Sequence, residues 1–188
     1  MKRGLTPMNK YDKRRKYYVV LDCETATLPE AINYEGEERK NIAIAKPLIY
    51  DLGWKVIDAQ GRTYARKNYL ISEIFSVPAI FDTAYYASKR CIYLEKLEKG
   101  EIILTDWKTA SAELVEDMDA CVAVGAYNSM FDYKKAIPFT DLYISKLYSP
   151  DFHDWLNFQN KKLPWLATGH RNENPNGFDE TIFRFRGK

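Results

Sequence analysis

The sequence predicts an α/β fold, a mixed β-sheet with helices on its faces. Three observations carry this. Tyr17-Tyr18-Val19-Val20-Leu21 is a β-branched and aromatic run, which reads as a buried strand. Residues 48–58 and 63–71 are two further strand-like runs, separated by the turn signal Ala59-Gln60-Gly61-Arg62. A turn that short joins only antiparallel neighbours. Finally, the apolar run Cys121–Ala126 leads straight into a segment that reads as a helix start, residues 127–136.

The remaining elements follow in order. Residues 26–47 are mixed, charged and irregular. The charged stretch Ala84–Lys99 has helical periodicity. Asp106–Met118 reads as a helix with Asp106 or Thr105 as its cap. Ile137–Tyr148 continues as helix after a break near Pro138, because proline removes a backbone donor. From Ser149 the pattern weakens, and Asn172–Gly177 reads as a loop. Gly177–Phe185 reads as the opening of a helix capped by Asp179. No internal repeat or Ser/Gly-rich linker divides the chain. The expected organisation is a basic, mobile segment over residues 1–16 and a single domain over 17–188.

Bulk composition narrows the function class. The chain has 188 residues, 46% of them hydrophobic, which is enough for a substantial core in one domain. Its net charge is only +2, so no global polybasic signal exists. Positive charge is local: Lys2, Arg3, Lys10, Lys13, Arg14, Arg15 and Lys16 crowd the N-terminus. Such a segment either contacts phosphates without sequence preference or serves as a solvated tail. No apolar stretch has the length to span a membrane, and the N-terminal charges have no apolar run behind them. Cys23, Cys91 and Cys121 show no spacing for zinc or a disulfide. Cys23 and Cys121 lie in strands and read as small buried residues of a cytoplasmic protein.

The chemistry concentrates in two places. Asp22 and Glu24 follow the first strand and, by alternation, point the same way. Two carboxylates on one face favour a positive partner, and a divalent cation suits carboxylate oxygens. The plainer alternative is that both acids reach solvent. Asn128 and Asp132 lie four residues apart at the mouth of the helix that follows the Cys121–Ala126 run and share a face. Sheet edges of that kind are where α/β proteins keep their sites. The alternative there is a helix cap and a solvated acid. Aromatic residues make up 14% of the chain. Tyr17, Tyr50, Trp54 and Tyr69 read as strand residues, whereas Tyr85, Tyr86 and Tyr127 near helix starts are candidates for stacking on bases.

Val20-Leu21-Asp22-Cys23-Glu24-Thr25, followed by Tyr127-Asn128 and Phe131-Asp132, resembles the first two motifs of the DEDD superfamily of 3′–5′ exonucleases, which includes polymerase proofreading subunits and phage-encoded nucleases. The resemblance covers roughly residues 16–147. It implies a ribonuclease H-like sheet, whose opening is likewise a strand and then a hairpin. It implies that Asp22, Glu24 and Asp132 hold Mg²⁺ or Mn²⁺, two ions in a complete site, with Asp22 bridging them. Thr25, Ala26, Tyr127 and Asn128 would contact or position the 3′ end of single-stranded DNA or RNA. The setting would be the cytoplasm of a bacterium or a phage-infected host.

The family's third motif, His or Tyr at a fixed distance before Asp, has no match. His153 is followed five positions later by Phe158, His170 by Pro175, and Tyr148 is followed four later by Phe152. His170 is the candidate substitute base. The expectation is a chain that ends before the last catalytic element, as one part of a split nuclease, a truncated reading frame or an excised fragment. Its activity alone would be weak, and a second polypeptide could supply the missing motif. The competing expectation is a non-catalytic module that binds nucleic acid or protein.

Overall fold

The computed structural model describes residues 11, 12, 14–148 and, as backbone, 165–167. His153, His170, the expected loop at 172–177, the Asp179 cap and most of the basic 1–16 segment lie outside the described residues.

The chain builds a six-stranded mixed sheet. Strand β1 is Tyr17–Ala26, β2 Leu48–Asp58, β3 Thr63–Ile71, β4 Ile103–Thr105, β5 Ala123–Ala126 and β6 Trp165–Ala167. Their order across the sheet is β4-β3-β2-β1-β5-β6. β1 and β2 are antiparallel, as are β2 and β3, whereas β1–β5, β3–β4 and β5–β6 are parallel. With helices packed against it, this is the arrangement of a ribonuclease H-like sheet.

The hairpin forms where the turn signal placed it. Gly61 sits at φ 79°, in the left-handed region that glycine occupies without a Cβ clash. Asp58 Oδ1 accepts from the backbone N–H groups of Gln60 and Arg62, 2.9 and 3.0 Å away, and so fixes the turn from within.

The first strand is longer than its apolar run suggests. It carries on through Asp22, Cys23 and Glu24 to Ala26, with a register shift between Glu24 and Thr25. Strand pairing with β2 holds these polar residues in extended form. The acids therefore lie within the sheet, short of the strand's end.

Residues 26–47 are more ordered than expected. A 3-10 turn, Pro29–Asn33, and helix α1, Gly36–Ala45, occupy them. α1 buries no residue, and this lack of an apolar stripe explains why periodicity missed it. Two one-turn helices, α2 (Ser72–Phe75) and α3 (Pro78–Phe81), were likewise too short to show a period. Helix α4 spans Arg90–Glu98, inside the predicted 84–99 stretch. Helix α5 runs Trp107–Asp119, and Asp106 caps it by accepting from the Thr109 N–H at 2.7 Å.

The second motif enters one nearly continuous helical run. α6 is Ser129–Phe131, a π-helical turn covers Asp132–Ala136, and α7 is Ile137–Tyr148. No break occurs at Pro138. The wider π turn, closed by the Ile137 N–H donating to the Asp132 carbonyl, lets the chain pass the proline without stopping.

Helices α5 and α7 cover one face of the sheet. Trp54 Nε1–H on β2 donates to Asp117 Oδ2 on α5 at 2.9 Å, and the Ile49 N–H donates to Thr140 Oγ1 on α7, also at 2.9 Å. Leu21, Leu52, Trp54, Trp107 and Leu114 are buried in the core. A second apolar group, Tyr50, Phe75, Phe81 and Tyr93, locks α2, α3 and α4 to the end of β2 through edge-to-face ring contacts. Among the described residues no helix is long and apolar enough to cross a membrane.

Candidate functional site

The sheet's other face is open over part of its area. It forms a recess of about 590 Å³. The lining follows from register. Asp22 pairs with Gly53, and Gly53 with Asn68; Glu24 pairs with Asp51, and Asp51 with Leu70. Residues paired across strands project to the same side. Asp22, Glu24 and Asp51 therefore share one wall of the recess.

Asp51 is the site residue that motif reading missed. Its signal was present in β2, where half-exposed Asp51, Gly53 and Lys55 alternate with buried Leu52, Trp54 and Val56. The alternation marks a polar face. Only the pairing with β1 shows that this face carries a third acid beside Glu24.

Like charges are brought together here, offset only in part by Lys89 beside Glu24 and Lys96 beside Asp51. Burial raises the Asp22 pKa, partly offset by the Cys23 backbone N–H that donates to it. Asp22 still reaches solvent at the mouth of the recess. Burial, followed by the charges of Asp22 and Asp51, pushes Glu24 up to about 7. Burial and then Asp22 push Asp51 up to about 6. An ionised Asp22 makes its neighbours harder to ionise.

Asp132 arrives from the opposite side of β1. It is buried, with 6% of its surface exposed, so it is not a solvated surface acid. Its Oδ1 accepts from the Cys23 thiol at 2.9 Å. Cys23 points away from Asp22 and Glu24 by strand alternation. Asp132 nevertheless feels Asp22: burial, offset in part by the Cys23 hydrogen bond and reinforced by the Asp22 charge, brings its pKa to about 6. Cys23 itself is only half-buried by surface area and sits between the two motifs rather than deep in the core. Burial and the Asp132 charge hold its thiol well above the usual range, so it stays protonated.

The other sequence candidates fall as follows. Thr25 is half-buried, while Ala26 is 3% exposed and part of the core, inside the strand rather than after it. Tyr127 and Asn128 are exposed at the end of β5, and the Asn128 side chain makes no capping bond. Tyr86 lines the recess, and the Lys89 ammonium lies 4.0 Å from its ring centre. Tyr85 packs edge-on against Tyr86 and is largely exposed.

Carboxylate oxygens and a protonated thiol are a donor set for hard cations, not for zinc or copper. Among the described residues, no three His, Cys, Asp or Glu side chains are close enough to form a ready metal cage. No protein-family model matches the chain, and no curated protein matches it at a significant level.

Proposed function

We propose that this chain is a metal-dependent 3′–5′ exonuclease of the DEDD type that hydrolyses phosphodiester bonds of single-stranded nucleic acid. The observation that carries the reading is that Asp22, Glu24 and Asp51 line one recess of the sheet, while buried Asp132 is bonded to Cys23, the residue between the first two acids. A surface acid has no reason to crowd three others in a partly desolvated sheet. Crowded carboxylates with raised pKa values in a recess mark functional sites more often than structural ones.

Asp22, Glu24 and Asp51 are the side chains that would hold Mg²⁺ or Mn²⁺ in the recess, and Asp132, the second motif's acid, is coupled to Asp22 through its charge. A divalent ion held there supplies an activated water at neutral pH and offsets charge on the leaving oxygen. The chain's own residues do the rest. Cys23 fixes one Asp132 oxygen by its thiol hydrogen bond. Tyr86, steadied by Lys89, offers a ring on which the terminal base can stack. Asn128 and Tyr127, exposed beside Asp132, are placed to orient the sugar-phosphate.

Calorimetric titration with Mn²⁺ is the primary test. Saturable binding that disappears in Asp22→Asn and Glu24→Gln is expected, together with shortening of a 5′-labelled oligonucleotide from its 3′ end that EDTA stops. Equal Mn²⁺ binding by wild type and Asp22→Asn would overturn the reading. Binding that needs Asp22 without any cleavage would select the non-catalytic binding module instead.

A further inference from the structure

Among the described residues one buried side-chain oxygen has no hydrogen-bond partner, Asn68 Oδ1 on β3. An acceptor left unmade in a desolvated place is costly, so such an atom in a native fold calls for an explanation. Its place in the sheet supplies one. Asn68 pairs with Gly53, and Gly53 with Asp22, so the three share one cross-strand row and one side of the sheet. All three line the recess that also holds Glu24 and Tyr86. The orphan oxygen therefore belongs to the candidate site, two strands across from its first acid.

Gly53 keeps the ground between them open. Its backbone does not require glycine, because it lies mid-strand and outside the positive-φ glycines, Gly36, Gly61 and Gly100. Crowding does not require it either. A Cβ added there would meet Asn68 Oδ1 at 3.5 Å, ordinary contact distance. Glycine weakens a strand interior, and one retained there often marks the close approach of a ligand. A longer side chain at 53 would stand against the Asn68 amide and shield it from the recess. The terminal torsion of asparagine is broad, so the oxygen turns toward a ligand over Gly53 at small cost.

The chemistry of this oxygen restricts the ligand. An amide oxygen accepts and cannot donate. A phosphodiester has no hydrogen to give and does not satisfy it. Between its ends the backbone of a DNA strand fails for the same reason, since neither its phosphates nor its deoxyriboses carry a donor. A ribose supplies one in every nucleotide, the 2′-hydroxyl, the group by which a protein tells RNA from DNA. The bases carry the remaining donors of a strand, and the Tyr86 ring in the same recess takes a base by its face rather than by its edge. The recess, about 590 Å³, is of a size to enclose a small ligand such as one nucleotide.

We propose that Asn68 Oδ1 accepts the 2′-hydroxyl of a nucleotide lying across Gly53, and that the strand this recess takes is RNA. The proposal rests on the nuclease reading for the ligand's being a nucleic acid strand, and deepens it by naming the sugar.

The test is fluorescence anisotropy of a labelled short oligouridylate and the matching oligodeoxyuridylate in EDTA, where nothing is cleaved. The two strands differ only in the 2′-hydroxyl. The wild-type protein should bind the ribo strand at least about tenfold tighter, the scale of one hydrogen bond to a buried acceptor. A 2′-O-methyl strand keeps the oxygen but loses the donor, and should bind like the deoxy strand. Asn68→Leu and Asn68→Ala should weaken binding of the ribo strand alone and leave the two strands equal. Circular dichroism and thermal melting would show that each variant folds. In the wild type, the ¹⁵N-labelled Asn68 side-chain amide signals should move with the ribo strand and stay in place with the deoxy strand. Equal wild-type binding of the two strands would overturn the proposal, as would failure of the ribo strand to bind or a ribo preference that survives in both Asn68 variants. Affinity lost on removing only the terminal 3′-hydroxyl, and kept on removing the 2′-hydroxyls, would also overturn it, because the chain end would then fill the oxygen. If the ribo preference depends on Asn68 but Mn²⁺ binding does not depend on Asp22, the ribose contact stands and the nuclease reading fails.

Discussion

The Cys23 thiol donates to the Asp132 carboxylate across 2.9 Å, joining residues 109 positions apart. This bond ties the strand of the first motif to the helix of the second. It also leaves a buried acid partly satisfied when no cation is present. Cys23→Ala should therefore destabilise the fold by about 1–3 kcal/mol, because Asp132 loses a donor in a partly desolvated place. Cys23→Ser should recover most of that. Urea unfolding of the three proteins measures both differences. An alanine variant as stable as wild type would show that the bond does little.

The same thiol should be slow to react. The thiolate is the nucleophile, and burial with the Asp132 charge holds the Cys23 pKa well above the usual value. Cys91 is exposed. Alkylation of the native protein at pH 8 followed by mass spectrometry should modify Cys91 first, with Cys23 modified only on unfolding. Equal labelling of the two would contradict the environment described for Cys23.

On the covered face, Asp117 is 2% exposed and accepts from two directions. Trp54 Nε1–H donates at 2.9 Å and the Tyr11 hydroxyl at 2.6 Å. Asp117→Ala would leave the Trp54 N–H buried and unsatisfied, at a cost of about 1–3 kcal/mol. For a chain of this size each kcal/mol lowers Tm by about 2–4 °C. Differential scanning calorimetry reads the change directly. In a double-mutant cycle with Trp54→Phe the losses should be less than additive, since the two residues share one bond.

Sheet and site were legible in the sequence to different degrees, for physical reasons. Strands β2 and β3 were readable to the residue because pattern, turn glycine and the Asp58 turn bonds agree. β1 was read short, since the code for a strand is apolar and its last five residues include two acids kept extended by their partners. α1 was invisible because it packs no apolar face. The acids Asp22, Glu24 and Asp132 could be singled out from their spacing together with the family resemblance. Asp51 could not, because its relation to Glu24 is a matter of cross-strand register, set by the hairpin and by a bulge at Glu24/Thr25. Which side of β1 Asp132 approaches from is likewise decided by how the helix run through the π turn packs, and no local pattern encodes that.

The acid cluster should make the metal-free protein sensitive to pH. Glu24, Asp51 and Asp132 have folded-state pKa values of about 7, 6 and 6. Unfolded carboxylates titrate near 4. The folded state thus holds protons more tightly between about pH 4 and 7. Their contribution to stability is fully present below the unfolded pKa and is lost as pH rises through 6 to 7. Chemical denaturation in EDTA at pH 5 and pH 8 should show the fold weaker at pH 8 in this respect. Asp51→Asn and Glu24→Gln should flatten the difference. A profile identical in wild type and both variants would mean that these carboxylates are not coupled as described.

Asp22→Asn should separate stability from function. Asp22 is the charge that pushes up three other acids, so removing it lowers the pKa of each and relieves repulsion in the folded state. The backbone pairing of β1 with Gly53 of β2 is untouched by the change. At pH 8 without metal the variant should be more stable than wild type, by about 0.5 kcal/mol or more, as is common when a site optimised for function is neutralised. With Mn²⁺ the order should reverse, because a ligand that binds only the folded state stabilises only the protein that can bind it. Thermal unfolding of both proteins, with and without Mn²⁺, gives the four values needed. If the variant is less stable without metal, Asp22 has a structural role that outweighs the repulsion. If Mn²⁺ raises the Tm of both proteins equally, the ion binds elsewhere and Asp22 is not its ligand.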